Sequence, residues 1–356
     1  MKKNLLKNST VQTLVASLLC IVLGLFLGYL VLLLINPDGA GDAILTVIKN
    51  FWTYNRKASQ IKYLGNTLVK TAPLLMCALS ILFSYKVGLF NIGAAGQYCV
   101  LGGALLAGIS GLLKSYCNVN EVISGIMLNW IVLYLTNMLL TLVKEDASPY
   151  TKVLANTNAS AVLPSLGLGA LFNKNQYVGL AIPLAVVMAV IVWIVLDKTK
   201  FGYELKATGL NKNAAKYCGM AEKRNIILSL MISGALAGMG AAMLYLTSYE
   251  QWQCSSSSVP AMGFNGIAAA FLGGLNPIGS IFASFFIQHI TAGGAYVDKS
   301  MYCAQISDLI SALIIYLCGF VLFMKNVMSS IAARREEKAI AKARALAEAK
   351  KGGETE

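Results

Sequence analysis

In the stretch GLFNIGAAGQYCVLGG, residues 88–103, two neutral amides, Asn91 and Gln97, stand among glycines between apolar runs. Further on, PAMGFNGIAAAFLGGLNPIGS, residues 260–280, sets Asn265 in a short apolar run and closes it with Gly-Gly-Leu-Asn-Pro. Asn129 and Asn137 share one apolar segment, and Gln288 precedes His289, the single histidine. Such amides donate and accept hydrogen bonds without carrying charge. Without paired charges they suit an uncharged polar solute, a nucleoside or a sugar, better than an ion. A structural use is equally open: Asn91 as a helix cap, glycines for packing, His289 as a helix-to-helix bond. One histidine, no HExxH and no clustered aspartates leave no metal or nucleophile site for an intramembrane enzyme.

These side chains need a scaffold, and composition names its class. Of 356 residues, 57% are hydrophobic and 13% charged, with a mean hydropathy of +0.65. Soluble domains carry roughly a quarter charged residues, so the balance is that of a membrane protein. TLVASLLCIVLGLFLGYLVLLLI, residues 13–35, has the length of a crossing helix and no charge. Asn36-Pro37-Asp38 follows it in place of a small-residue cleavage site, so it is read as a retained first helix. Further candidate spans fall at about 63–85, 92–113, 122–143, 178–196, 227–246, 262–274, 276–295 and 305–325. The expected fold is all-α, a polytopic membrane helical bundle of about eight to ten membrane segments with broken or re-entrant helices. Segment 38–62, with Ile44, Val47, Ile48 and Phe51 near helical spacing, is expected as an interfacial helix on the outer surface. Gly24 with Gly28, and Gly234 with Gly238, Ala242 and the flanking Ser233, predict close helix packing. Eight cysteines without a CxxC pair fit neither a disulfide framework nor a zinc site.

The net charge of +13 is concentrated at the chain ends and in one central loop, a pattern that reports orientation rather than nucleic-acid binding. Lys198, Lys200, Lys206, Lys212, Lys216, Lys223 and Arg224 mark the loop 197–225 as cytoplasmic. Lys2, Lys3, Lys7 and the tail from Lys325 do the same for both termini. The chain divides into a transmembrane domain, 1–328, and a cytoplasmic charged helical tail, 329–356. Glu121 is expected at a cytoplasmic helix start and Asp308 near the outer end of the last span. Between the N-terminus and the loop the crossings must be even, yet the apolar runs there number five. The odd one contains the Asn91–Gln97 stretch, where glycines weaken the helix.

The basic loop itself holds ELKATGLNKNAAKYCGMAEKRN, residues 204–225, which fits a short helix bracketed by Gly209 and Gly219 or a plain connector. Taken together and in order, these stretches resemble the membrane permeases of bacterial ABC importers, in the branch serving nucleosides and simple sugars. The resemblance rests on a "GLFNIGAEGQ"-like segment at 88–97, with Ala95 where an acidic residue is common, and on "VNEVIS…MLN…LYL" at 119–135. It rests equally on a "GLN…A…Y.GI"-like loop at 209–220 and a "GF.GIAVALLG…NPIG"-like segment at 263–279, and it spans about residues 65–323.

The resemblance implies a role for each motif. Gly209, Asn211, Ala214, Ala215, Tyr217 and Gly219 would form the coupling helix seated in a groove of the ATPase subunit. Asn91, Gln97 and Asn265, with Asn129, Asn137 and Gln288, would line or gate the substrate path. Transport would run by alternating access. The chain has no Gly-Lys pair and so no phosphate loop; ATP and Mg belong to the partner ATPase, and the chain is a transport subunit, not an enzyme, with no cofactor of its own. The other implied partners are a second, related permease in a heterodimer, an extracellular or periplasmic solute-binding lipoprotein, the small-molecule solute and membrane lipid, in the bacterial plasma membrane. Alternative substrates are simple sugars or branched-chain amino acids. An ion-coupled secondary transporter would need acidic residues near mid-membrane, and the spans have almost none. In the permeases that this chain resembles, a further span separates the IGAxGQ helix from the VNE segment. Here either 94–113 is re-entrant or the chain is shortened, and the intact flanking motifs favour shortening.

Overall fold

A computed structural model describes residues 9–99, 102–298, 300–303 and 306–334, apart from 322, 325, 328 and 332. Among the described residues six helices are long and apolar enough to cross a membrane: α1 (Ser9–Ile35), α3 (Lys57–Tyr85), α6 (Glu121–Leu140), α9 (Ala181–Lys198), α12 (Glu222–Tyr245) and α14 (Pro277–Gly293), the last with the turn that carries it on to Tyr296. Between and after them lie α2 (Ala40–Lys49), α4 (Ala94–Cys99), α5 (Gly103–Cys117), α7 (Leu154–Thr157), α8 (Leu168–Leu171), α10 (Lys200–Leu210), α11 (Lys212–Tyr217), α13 (Ala261–Leu272) and α15 (Ile306–Cys318). No strand forms among the described residues. The protein is an all-α, multi-pass membrane bundle.

Helix α3 is its mast. Nearly every residue from Val69 to Ser84 is buried, because α12, α13, α14 and α9 all pack around it. Its hydroxyls enter this apolar setting already satisfied. Thr67 Oγ1 donates to the Tyr63 carbonyl (3.1 Å), Thr71 Oγ1 to Thr67 (2.8 Å) and Ser84 Oγ to Ile81 (2.9 Å). Bonding back along the helix lets short polar side chains sit where water cannot reach. The outermost pair is α1 with α15, antiparallel, Gly24 against Ile314 and Gly28 against Ile310, which is the packing the GxxxG spacing predicts.

The contacts also order the two faces. The turn after α3 touches α10, Gly88 against Gly209. The end of α5 meets the start of α6 through Lys114 and Glu121 (2.8 Å) and the start of α12 through Ser115 and the Lys223 carbonyl (3.4 Å). The end of α13 meets α1, where Ser17 Oγ donates to Leu272 (2.7 Å). All of these lie on one face, which carries the basic loop. On the far face, α1 ends beside Tyr302, whose hydroxyl donates to the Asn36 carbonyl (2.6 Å). There α2 packs on the end of α14, the Val47 backbone against Gly293. Ala40, Ala43 and Val47 turn inward, Ile44 is half-buried and Ile48 stays exposed. An amphipathic segment at that end is what the sequence predicts.

The odd crossing count resolves at residues 94–117. Helix α4 rises beside α6 in parallel, Gly93 against Gly125 and Gly96 against Asn129. After the break, α5 descends antiparallel to α12, Gly103 against Gly234, Gly108 against Met231 and Gly111 against Ile227. The chain therefore enters and leaves on the basic face. The structure shows a re-entrant course over this interval, and the count of full crossings before the basic loop becomes even. Gly103 and Gly234 make the descent possible: each would drive a Cβ into the other's carbonyl oxygen, so the backbones touch. The second half contains a shorter helix too. Only twelve residues long, α13 starts partway down α3, Gly266 against Cys77, and ends where Phe271 meets Tyr85 (ring centroids 5.5 Å). A turn held by Asn276, whose Oδ1 accepts from Ile278 N (2.9 Å), then starts α14. The side chain of Asp308 and the charged tail beyond Arg334 lie outside the described residues.

Candidate functional site

The two stretches that share a Phe-Asn-x-x-Ala pattern end up in contact, Ala95 of α4 against Gly263 of α13. Around them the predicted path residues separate into two groups. Asn91 and Gln97 are buried and clasp each other, Asn91 Nδ2 donating to Gln97 Oε1 (2.8 Å) and Gln97 Nε2 to Asn91 Oδ1 (3.1 Å). Asn91 Nδ2 also donates to Ser233 Oγ of α12 (2.7 Å), which in turn donates to the Ser80 carbonyl of α3 (2.7 Å). Asn129 faces this clasp from α6. Its Oδ1 accepts from Gly96 N (2.8 Å) and its Nδ2 donates to the Ile92 carbonyl (3.1 Å), so one side chain satisfies two backbone groups at the start of α4. Asn137, two turns further, holds the far-face segment before α13: Nδ2 donates to the Ser256 carbonyl (2.8 Å) and Oδ1 accepts from Trp252 Nε1 (2.7 Å).

Asn265 and Gln288 differ. Asn265 is half-buried and Gln288 only 6% exposed, and neither makes a hydrogen bond to any described residue. Two other polar side chains nearby are fully buried: Ser284, one turn below Gln288, whose Oγ also has no partner among the described residues, and Ser280. His289 turns away toward α2, with Nε2 at the Ile48 carbonyl (2.9 Å) and Nδ1 at Asn50 Nδ2 (3.2 Å), the helix-to-helix bonding expected of it. The ring therefore takes the neutral form, Nδ1 accepting and Nε2 donating.

Sequence reasoning missed Ser80 as a partner in the Asn91 network and read Ser233 only as a packing residue. A serine inside a small-residue helix face carries no signal that separates the two uses. A far-face cavity of about 620 Å³ between α6 and α12, walled by Leu139, Val143, Tyr245, Leu246 and Trp252, contains none of the six path amides.

On the basic face the residues expected to form a coupling helix assemble as a small built unit. Asn211 caps α11, its Oδ1 accepting from Asn213 N (3.1 Å) and Ala214 N (3.0 Å). Gly209 lies so close to the turn after α3 that a Cβ would strike the Lys86 carbonyl, and Gly88 there has φ +74°. Gly219 ends the unit at φ +77°, the left-handed conformation that glycine adopts freely. Ala215 packs inward at 3% exposure, whereas Tyr217 and Leu210 stand 94% and 89% exposed and Ala214 is exposed with them. Asn225 Nδ2 ties α12 to Thr208 Oγ1 of α10 (3.2 Å), and Lys206 pairs with Asp197 (2.8 Å). Burial pushes the nearby Lys86 ammonium below the usual lysine range; Asp197 opposes that shift and Lys206 adds to it.

Comparison with known proteins agrees with this architecture. Residues 99–319 match the family described as branched-chain amino acid transport system / permease component. The guanosine ABC transporter permease protein NupP of Bacillus subtilis is 30% identical over 89% of this chain and 96% of its own length. The nucleoside ABC transporter permease protein NupB of Lactococcus lactis is 29% identical over 90% and 94%. The glucose ABC transporter permease protein TsgB13 of Haloferax volcanii is 26% identical over 71% and 74%. No solved structure matches. With family match, relatives and helical bundle in agreement, the chain belongs to the branched-chain amino acid transport system permease family and is a membrane-spanning ABC permease subunit, a transport component rather than an enzyme.

Proposed function

We propose that this permease moves nucleosides into the cell by alternating access, driven by a separate ATPase that grips α11 from the cytoplasm. The observation that carries the reading is the exposed, capped α11 unit, with two large apolar side chains, Leu210 and Tyr217, left open on a basic face. Exposed apolar groups at this density mark a contact for another protein. Because Gly209 touches the turn that leads into α4, a push on α11 is delivered at the base of the re-entrant hairpin and of α3. The excess of Lys and Arg on that face supports a cytoplasmic loop and cytoplasmic termini. The two relatives similar over nine-tenths of the chain are named for guanosine and nucleosides, which supports nucleosides over simple sugars or branched-chain amino acids. ATP and Mg would be held by the ATPase. A second, related permease, giving a heterodimeric pore, and a solute-binding lipoprotein on the outer side complete the assembly.

The test is to purify the chain with its co-expressed ATPase and permease partners and follow nucleoside uptake into proteoliposomes. Vanadate-sensitive, ATP-dependent uptake is expected. Tyr217→Ala with Leu210→Ala is expected to release the ATPase. Uptake driven by an ion gradient without ATP overturns the reading, and ATP-driven uptake of sugars alone overturns its substrate.

A further inference from the structure

We infer that Asn265 and Gln288 form the solute-contacting pair of this permease, while Asn91, Gln97, Asn129 and Asn137 hold its frame. The inference rests on the proposed nucleoside reading for its substrate class and on geometry for its location. Every other amide side chain on the six long helices, α4 and α13, among the described residues, has a partner within the chain. Asn265 and Gln288 have none. In the hydrocarbon region an unsatisfied polar group costs several kcal/mol, so free amides persist there only where water or solute meets them.

Register sets the two at the same level. Helices α13 and α14 form an antiparallel hairpin in which Gly273 packs on Ser280, a Cβ falling 2.7 Å from Ser280 Cα. Asn265 lies eight residues before that contact and Gln288 eight after it, so both stand about 12 Å above the turn on neighbouring helices. Ser284, with its unpartnered Oγ, lies between Ser280 and Gln288 along the same stripe. Neither helix carries Asp, Glu, Lys or Arg, so a charged solute would meet no counter-ion there. An amide pairs its donor and acceptor with a donor–acceptor edge, as asparagine and glutamine do with adenine. The chemistry recognised is therefore an uncharged ring with such an edge, the base of a nucleoside.

Gln288→Leu and Asn265→Leu, each in the complete complex in proteoliposomes, test this through KM for nucleoside uptake and through thermal stability in detergent. Loss of a hydrogen bond to solute is expected to raise KM about ten-fold or more, with ATPase assembly intact and the thermal midpoint unmoved. Gln288→Asn is expected to restore part of the affinity. Unchanged KM in a complex that carries nucleosides overturns the inference and leaves the proposed function standing. Should the unmutated complex carry no nucleoside, the proposed function fails, and the same KM comparison on the solute that it does carry decides the pair. A fall in thermal midpoint as large as that of Asn129→Leu also overturns the inference, because it would reveal internal bonds at these amides.

Discussion

The hairpin of α4 and α5 and the hairpin of α13 and α14 solve the same problem in opposite ways. Both place a short helix in the bundle, and the two short helices touch at Ala95 and Gly263. In the first hairpin the amides are bonded internally: Asn91, Gln97 and Asn129 spend their donors and acceptors on one another, on Ser233 and on the α4 backbone, while the buried Ser110 Oγ of α5 has no partner among the described residues. The space walled by Gly93, Gly96, Gln97 and Asn129 is too small for a water molecule. The second leaves Asn265, Gln288 and Ser284 with no partner among the described residues. A hairpin whose amides are all bonded internally is suited to a fixed frame. An unsaturated one can take on a polar guest. LFNIGAAG and GFNGIAAA, identical at four of eight positions, thus sit in two different hydrogen-bonding arrangements.

The largest expected effect is all-or-none and tests whether the first hairpin is re-entrant. Cys117 at the end of α5 and Cys218 after α11 are both exposed on the basic face, whereas exposed Cys303 follows Tyr302 on the far face. In single-cysteine variants, a membrane-impermeant thiol reagent should label Cys117 and Cys218 from one side and Cys303 from the other. Labelling of Cys117 together with Cys303 would break the comparison, because 94–117 would then cross. Next comes Gly103→Val. Its Cβ would meet the Gly234 carbonyl, a backbone atom that cannot turn aside, so the effect exceeds the ~1–3 kcal/mol of an ordinary overpacked core. Loss of the monodisperse protein in size-exclusion chromatography is the expected readout. Asn129→Leu should follow at about 2–4 kcal/mol, since Gly96 N and the Ile92 carbonyl are both orphaned. A thermal midpoint equal to that of the unmutated protein would show that the first hairpin is not held by its amides.

How much of this was legible in sequence follows from what each signal depends on. Hydropathy and length place α1, α3, α6, α9, α12 and α14, because a span is a local property of about 20 residues. The same window reads 92–113 as one segment: glycines at 102 and 103 look no different from packing glycines until Gly234 is seen opposite. The α11 helix was one of two readings open in sequence, a bracketed short helix or a plain connector; Gly209 and Gly219 mark its ends, and the cap at Asn211 shows only in the structure. The division of the six amides was not legible. Whether Asn91 is satisfied depends on Ser233, more than a hundred residues away, and no composition or spacing around Asn91 encodes that partner.

The smallest expected effect sharpens the comparison at the approaches to the two hairpins. The approach to α4 is wedged by backbone, Gly209 against the turn at Lys86 and Gly88. The approach to α13 is tethered at the far face, where Lys70 Nζ of α3 meets Glu250 Oε1 at 2.6 Å and also lies 5.4 Å from the Tyr249 ring. Both charged side chains are about a third exposed, at 32% and 39%, so water and salt screen the pair. Burial raises the Tyr249 phenol above the usual tyrosine range while Lys70 pulls it back, so the ring stays neutral beneath the ammonium. Glu250→Gln should therefore cost only ~0.5–1 kcal/mol in low salt and nothing measurable near ~1 M. A salt-independent loss of several kcal/mol would mean that this tether is as rigid as the wedge, and the two approaches would no longer differ in kind. A small, salt-sensitive loss leaves the α13 approach as the more weakly held of the two.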